Sequence, residues 1–288
     1  MNKYTVIGGA VAVMAMGSLA LSADEGGAKK SGTPAMRKSS SADTPADRKL
    51  ELRVGPRISF LTGDLRTGKT GTTFDIWDDL ALDEPSGGVQ FDIDWQPLDR
   101  WHVAFGMTGD QYDHSGTTSK NISNGEDVLV SGASVSADLG LYTFEGKLGY
   151  DAIKNDTWRI QPYIGGKGAW ADGTATVTGA VLNSAGVTVA TSRTKTTRLD
   201  QSYGLFFGGV DARAYISHQW YVGADIGAFG LDSWYYLTGD AYTGYDFSKT
   251  WGIRAGYAYD YVSWENNVKS GQAEPLLGAA YVQAVWGF

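Results

Sequence analysis

Apolar and polar side chains alternate repeatedly along the chain from about residue 51 to its end. Each alternating segment is about 10 to 16 residues long and is bounded by residues typical of turns or loops. A period of two residues indicates β-strands whose two faces meet different surroundings. We place ten predicted strands at 51–62, 87–96, 100–110, 137–152, 157–171, 201–216, 219–230, 235–247, 250–263 and 277–288.

The predicted connections alternate between short and long. Tight turns fall at 97–99, 154–156, 217–218 and 248–249. Most of the others are long and cover 63–86, 111–136, 172–200 and 264–276, with 231–234 as the short exception. An even number of strands with short turns at one end and long loops at the other is typical of antiparallel up-and-down barrels in outer membranes.

The two faces of each predicted strand differ sharply. In 250–263, Trp251, Ile253 and Tyr257 lie on one face, whereas Arg254 and Asp260 lie on the other. A soluble barrel or sandwich turns its apolar face inward, and a membrane barrel turns it outward. Alternation alone therefore leaves both architectures open.

The positions of the large aromatic residues favour the membrane barrel. Nine of them lie close to a tight turn or the C-terminus and share the parity of the apolar face. On a closed barrel they form one ring, as an aromatic girdle at a membrane interface requires. This predicted girdle consists of Trp95, Trp101, Tyr150, Trp158, Trp220, Phe247, Trp251, Trp286 and Phe288.

The last strand, Tyr281–Phe288, ends in Phe with another aromatic residue two positions earlier. It resembles the final-strand signal of bacterial outer-membrane β-barrel proteins, with Gln283 where that signal usually carries Gly. At class level the chain is similar to small porin-like or OmpA-like barrels. The resemblance implies insertion by the barrel-assembly machinery and contact with outer-membrane lipid.

The N-terminal region predicts export. Asn2 and Lys3 precede an apolar segment and a small-residue cleavage site, so we expect residues 1–23 to be a cleaved signal peptide. Residues 24–48 lack aromatic side chains and predict a disordered periplasmic tether before the barrel at 49–288. The chain has no cysteine, which excludes disulfides and a lipoprotein anchor. The expected location is the outer membrane of a Gram-negative-type bacterium.

Residues 173–195 leave the strand count open. Two short alternating stretches flank a turn at 183–186. We interpret them as a hairpin that continues two barrel strands above the membrane, because they lack girdle aromatics. A barrel of 12 strands is the alternative.

The charged face supplies the predicted lumen. Opposite charges fall on neighbouring predicted strands, so a structural ion-pair lattice is the first interpretation. The predicted neighbours are Arg53 and Arg57 beside Asp92 and Asp94, and Glu145 and Lys147 beside Arg159 and Lys167. A narrow channel for small solutes is the second, and glycines of the same parity would leave room for it. The predicted lining is Arg53, Arg57, Asp92, Asp94, Glu145, Lys147, Arg159, Lys167, Asp211, Arg213, Asp225, Asp240, Arg254 and Asp260, with His102 nearby.

Other motifs add little. The stretch 63–70 has phosphate-loop spacing, but no strand-to-helix context surrounds it, so we interpret it as coincidence. The acidic loop at 75–84 predicts a solvated surface rather than a Ca²⁺ site. With a net charge of −8 and no basic face, a nucleic-acid partner is not expected. We assign no metal, no cofactor and no catalytic residue.

The leading hypothesis is a non-enzymatic outer-membrane barrel, either a structural or interaction protein or a narrow porin-like channel, with small solutes or extracellular ligands as candidate partners of its loops. The alternative is a hydrolase at the outer rim, either lipid-modifying or an omptin-like protease, built from Asp110, Asp113 and His114. Omptins resemble this chain in strand number and in using acidic residues with a His. No second acidic and His cluster stands on a facing predicted strand.

Overall fold

The computed structural model describes residues 48–66, 73–75, 84–118, 121–123, 127–183, 188–231, 234–265 and 272–288. The predicted signal peptide, the predicted tether up to residue 47, half of the phosphate-loop-like stretch and most of the acidic stretch lie outside these ranges. Across the described ranges, no helix is long and apolar enough to cross a membrane.

Ten long strands form the body of the fold, and four short ones join them. The short strands are β2 (Thr73–Asp75), β5 (Ile122–Ser123), β6 (Asp127–Leu129) and β8 (Ile153–Lys154). The long strands are β1 (Leu50–Arg66), β3 (Ser86–Leu98), β4 (Trp101–Thr117), β7 (Ser134–Tyr150), β9 (Trp158–Asn183), β10 (Thr188–Tyr215), β11 (Trp220–Leu231), β12 (Trp234–Asp246), β13 (Trp251–Glu265) and β14 (Gln272–Gly287).

The long strands close into one antiparallel barrel. Each pairs with the next long strand in the chain, and β14 returns to pair with β1 from Glu51↔Gly287 to Leu65↔Ala273. The predicted all-β barrel of ten strands is confirmed. Residues 173–183 and 188–195 extend the paired strands β9 and β10, as predicted, so the twelve-strand alternative is wrong.

Three of the four tight turns share one construction. In each, a side-chain oxygen accepts hydrogen bonds from the backbone N–H groups two and three residues later. The acceptors are Asn155, Ser217 and Ser248, and the third residue after each is a tryptophan. Asn and Ser favour such turns because their short side chains can bond to nearby backbone. Each turn therefore also fixes the position of one predicted girdle residue.

The barrel wall is much taller on one side. Residues 111–117 and 134–136, predicted as parts of long loops, are paired strand instead, and the predicted β9–β10 hairpin is paired over 172–183 and 188–200. Threonine ladders help to extend the pairing, with 3.0 Å between the Oγ1 atoms of Thr176 and Thr196 and also between those of Thr178 and Thr194. We call residues 111–117, 134–141, 172–183 and 188–202 the raised sheet.

Candidate functional site

The outer surface of the barrel is apolar around its middle. Aliphatic and aromatic side chains of the outward parity are 38–70% exposed there, among them Ile58, Val89, Ile164 and Ile226. A soluble protein rarely leaves so many large apolar side chains in water. This surface is suited to hydrocarbon, and the charged side chains lie on the inside of the wall.

The predicted girdle residues lie at the tight-turn end of this apolar band. All of them except the partly buried Trp286 are 38–66% exposed. Several form ring contacts with each other across paired strands, with centroid distances of 5.2 Å for Trp101 and Tyr150 and 4.3 Å for Trp251 and Trp286.

A second group of aromatics at the opposite border was missed from the sequence. Tyr142, Trp170 and Tyr235 are exposed on the outward face, and the Tyr142 and Trp170 rings are 6.3 Å apart. Tyr142 lies eight residues before Tyr150, and Trp170 lies twelve after Trp158. At about 3.3 Å per residue and a tilt of about 40°, these separations span about 20–30 Å, comparable to the apolar band of an outer-membrane barrel.

Inside the wall, all fourteen predicted lumen residues line a single cavity of about 150 Å³. Seven of them are Arg or Lys and seven are Asp or Glu, so their formal charges cancel. No group of three or more His, Asp or Glu able to hold a metal ion occurs within the described part of the chain.

Several lumen contacts join strands that are not neighbours. Lys167 on β9 donates to Asp260 on β13 at 2.6 Å, across three intervening strands. Lys147 on β7 donates to Asp225 on β11 at 2.9 Å, again crossing the interior. Such contacts are possible only where side chains meet through the middle of the barrel. They cross the lumen with bonded polar groups beside the remaining cavity.

The neighbouring ion pairs match the predicted ones only in part. Arg53 faces Asp92 on β3, with 3.8 Å between its Nε and the Asp92 Oδ2. Glu145 faces Lys167 on β9, at 3.7 Å between carboxylate and ammonium. Arg57, by contrast, pairs with Asp110 of β4, two strands away, at 3.1 Å from Nε to Oδ1. The prediction considered only adjacent strands, and a long Arg side chain reaches further.

The tight-turn end of the lumen holds a histidine between two carboxylates. His102 Nδ1 lies 2.9 Å from Asp94 Oδ1, and Nε2 lies 3.0 Å from Asp151 Oδ2. Gln161 donates to the other oxygen of Asp151 at 3.3 Å. Asp151 was missed, although it continues the inward parity of Glu145 and Lys147 on β7.

Nearby, the last residue of the predicted tether contacts the barrel. Arg48 forms an ion pair with Asp246 at 2.8 Å and donates to the Lys249 carbonyl at 2.8 Å. It therefore caps this end of the barrel.

Tyrosine rings occupy the space beside the inward glycines. A Cβ atom at Gly223 would lie 2.2 Å from the Tyr242 ring, and one at Gly209 would lie 2.4 Å from the Tyr163 hydroxyl. Tyr242 in turn donates to Asp211 at 2.9 Å, and Tyr163 donates to Asp225 at 2.5 Å. These glycines therefore make room for aromatic side chains that belong to the lumen network, rather than for a solute.

Two of the three residues of the rim hydrolase hypothesis lie on opposite faces of β4. Asp110 points inward, is 2% exposed and accepts from the Ser59 hydroxyl at 2.9 Å, whereas Asp113 is exposed on the outward face. The side chain of His114 lies outside the described set. Two residues that are three positions apart on a strand point to opposite faces, so Asp110 and Asp113 cannot act on one substrate.

A closed antiparallel barrel with a charged interior and an apolar outer band defines a class: the transmembrane β-barrels of the outer-membrane type. Solved structures similar to this chain include the outer membrane protease OmpT from Escherichia coli, with a TM-score of 0.43, 9% identity and coverage of 83% of this chain and 97% of that chain.

Two further matches are weaker. The Pseudomonas putida toluene transporter TodX has a TM-score of 0.35 at 10% identity, and the match covers 85% of this chain and 93% of that chain. Neisserial surface protein A has a TM-score of 0.32 at 10% identity, and the match covers 82% of this chain and 97% of that chain. No protein-family model and no curated protein sequence matches the chain. At these scores the likeness gives no information on function.

Proposed function

We propose that this chain is a non-enzymatic barrel of the outer membrane of a Gram-negative-type cell, with a lumen closed by its own side chains and a raised sheet that carries its structural or interaction role. The observation that carries the proposal is the set of lumen bonds between non-adjacent strands. Lys167 to Asp260 and Lys147 to Asp225 each span the interior.

The charge balance of the lumen supports a closed barrel over a selective channel. A pore that selects ions carries an excess of one charge sign along its wall. Here seven cationic and seven anionic side chains line the same cavity, and several of them pair with each other, as Arg159 does with Asp211 and Arg254 with Asp240. The narrow-channel interpretation would require these pairs to separate, and buried ions separate only at a high cost in free energy.

The membrane location is supported by the outer surface. The apolar band lies between exposed aromatics at both borders, an arrangement that suits the two headgroup regions of a bilayer. The raised sheet continues beyond Tyr142 and Trp170. Since its outward side chains are mostly Ser and Thr, this surface suits water or carbohydrate rather than hydrocarbon.

Planar-bilayer recording of the refolded, signal-free protein tests the closed lumen. We expect no stable conductance steps from the wild type, with folding and insertion verified separately. A Lys147→Ala/Lys167→Ala variant removes two of the cations that pair across the lumen and should introduce steps. Arg198→Ala, on the raised sheet, is the matched control and should remain silent. Stable ion-selective steps from the wild type would show a channel and overturn the proposal.

A further inference from the structure

The β10 strand has one unpaired edge along the raised sheet. On one side β10 pairs with β9 from Thr188 to Ala214. On the other, its pairing with β11 begins only at Gly208↔Ala228 and continues to Tyr215↔Tyr221. Among the described residues, none pairs with β10 on that second side before Gly208.

The register identifies the backbone groups that face this edge. Tyr215 N–H donates to Thr157 on the β9 side, whereas Ile216 N–H donates to Trp220 on the β11 side. Neighbouring residues of a strand point their hydrogen-bonding groups in opposite directions, and the β9–β10 register is unbroken from Arg193 to Ala214. The even-numbered residues from 194 to 206 therefore direct their N–H and C=O groups toward the open edge.

The edge is long enough for specific recognition. The backbone from 194 to 206 offers a donor and an acceptor at every second residue, which suits an added strand of about ten residues. Below it, the β11–β12 hairpin ends at the pair Leu231↔Trp234, and Tyr235 beside it is 57% exposed. The barrel wall is therefore lower at β11 than at β10, and an extended segment fits beside the unpaired edge of β10 above the β11–β12 hairpin.

The charge of the β10 residues along this edge indicates which kind of segment it would bind. Arg193, Lys195 and Arg198 lie close together on β10 with Asp200 as the one acidic residue between 188 and 207, in a chain whose net charge is −8. Three basic residues against one acidic residue give this stretch a net charge of +2, which disfavours a basic partner strand. An acidic strand meets opposite charges instead.

We propose that the open edge of β10 binds an extended, acidic segment of a partner protein by β-strand addition. The inference rests on the proposed function, because it names the kind of partner that the raised sheet takes. Backbone hydrogen bonds to the even residues provide the affinity, and the net positive charge of residues 188–207 favours acidic side chains.

The probe is a fluorescein-labelled, end-capped nine-residue peptide of alternating Val and Glu. Binding to the full signal-free protein refolded in detergent micelles is followed by fluorescence anisotropy. A peptide of alternating Val and Lys is the control. We expect the acidic peptide to bind at least about tenfold more tightly than the basic one, an affinity difference of about 1.4 kcal/mol.

Two substitutions at one position separate backbone recognition from side-chain effects. Thr196→Pro removes an N–H that faces the open edge, while Thr196→Val keeps it. Both lose the 3.0 Å contact between the Thr196 and Thr176 hydroxyls. Thr196→Pro should weaken peptide binding by about tenfold, and Thr196→Val by less than about twofold. A variant with Lys195→Gln and Arg198→Gln should lower affinity and flatten its salt dependence, and does not depend on the fold tolerating proline.

The inference is overturned if the two peptides bind equally or neither binds, or if Thr196→Pro and Thr196→Val behave alike in folded protein. A dimer in the micelle that Thr196→Pro dissociates would identify a second copy as the occupant and also overturn it. Either result leaves the proposed closed lumen standing, because that depends on bilayer conductance alone.

Discussion

The strands β9 and β10 pass through two different environments. Inside the barrel, Lys167 of β9 contacts Asp260 at 2.6 Å with side chains that are 8% and 20% exposed. Higher on the same two strands, Arg198 contacts Asp172 at 3.6 Å with side chains that are 74% and 46% exposed. Both are ion pairs with one partner on β9, Lys167 in the first and Asp172 in the second. Only their access to water differs.

The comparison shows that burial, rather than the number of ion pairs, decides what an ion pair does for stability. In the lumen, removing one partner leaves a charge with little water to replace it, so the loss is large. On the raised sheet, water and salt screen both charges, so the loss is small. The lumen pairs therefore hold the barrel in one arrangement, whereas the exposed pair adds little to its stability.

The largest expected effect comes from Lys167→Met. The change leaves Asp260, and Glu145 at 3.7 Å, without the cation between them. We expect the free energy of unfolding to fall by about 3–5 kcal/mol, since a buried carboxylate loses its partner. Denaturant unfolding in liposomes, followed by tryptophan fluorescence, measures it.

A Lys167→Met/Asp260→Leu variant is the matched control for that loss. Removing both charges should restore a substantial part of the stability, because the unpaired carboxylate is then gone. If the single substitution costs less than about 1 kcal/mol, the lumen pair behaves like a surface pair and the contrast between the two regions fails.

Much of the barrel could be predicted from side-chain parity. A period of two assigns every residue of a strand to one face, so Arg254 and Asp260 could be placed inside and Trp251 outside before the fold was known. The strand count followed because the 173–195 hairpin lacks girdle aromatics. The same parity also separates Asp110 from Asp113, an argument against the rim hydrolase that the sequence already contained.

The contacts that could not be predicted from the sequence are those between strands that face each other across the barrel. Lys167 meets Asp260 and Lys147 meets Asp225 because strand tilt and closure bring distant strands together, and neither follows from adjacency. The extent of the raised sheet was also underestimated, since its Thr-rich strands resemble polar loops. One local signal was overlooked: Asn or Ser three residues before Trp marks three of the tight turns.

A second prediction concerns packing in the lumen. Gly223→Ala places a Cβ 2.2 Å from the ring of Tyr242, which is held by its bond to Asp211 and by Arg254 stacked 3.5 Å from its centroid. Because the ring cannot move without breaking these contacts, we expect a loss of about 1–3 kcal/mol in the free energy of unfolding.

Gly146→Ala is the control for that substitution, since a Cβ there meets nothing within 4 Å. It should be neutral or slightly stabilising, because Ala restricts the unfolded chain more than Gly. If the two substitutions change the free energy of unfolding equally, glycine affects stability at both positions only through the backbone. The tyrosine rings would then not be tightly packed against Gly223.

The smallest expected effect is that of Arg198→Ala on the raised sheet. Its ion pair with Asp172 is long and exposed, so we expect the free energy of unfolding to change by no more than about 0.5 kcal/mol. The acidic peptide should nevertheless bind this variant more weakly, because Arg198 contributes to the charge of the β10 edge. An unchanged free energy of unfolding together with weaker peptide binding would show that the ion pair of the raised sheet, unlike that of the lumen, does not contribute to stability. A stability loss comparable to that of Lys167→Met would instead make the raised sheet part of the structural core.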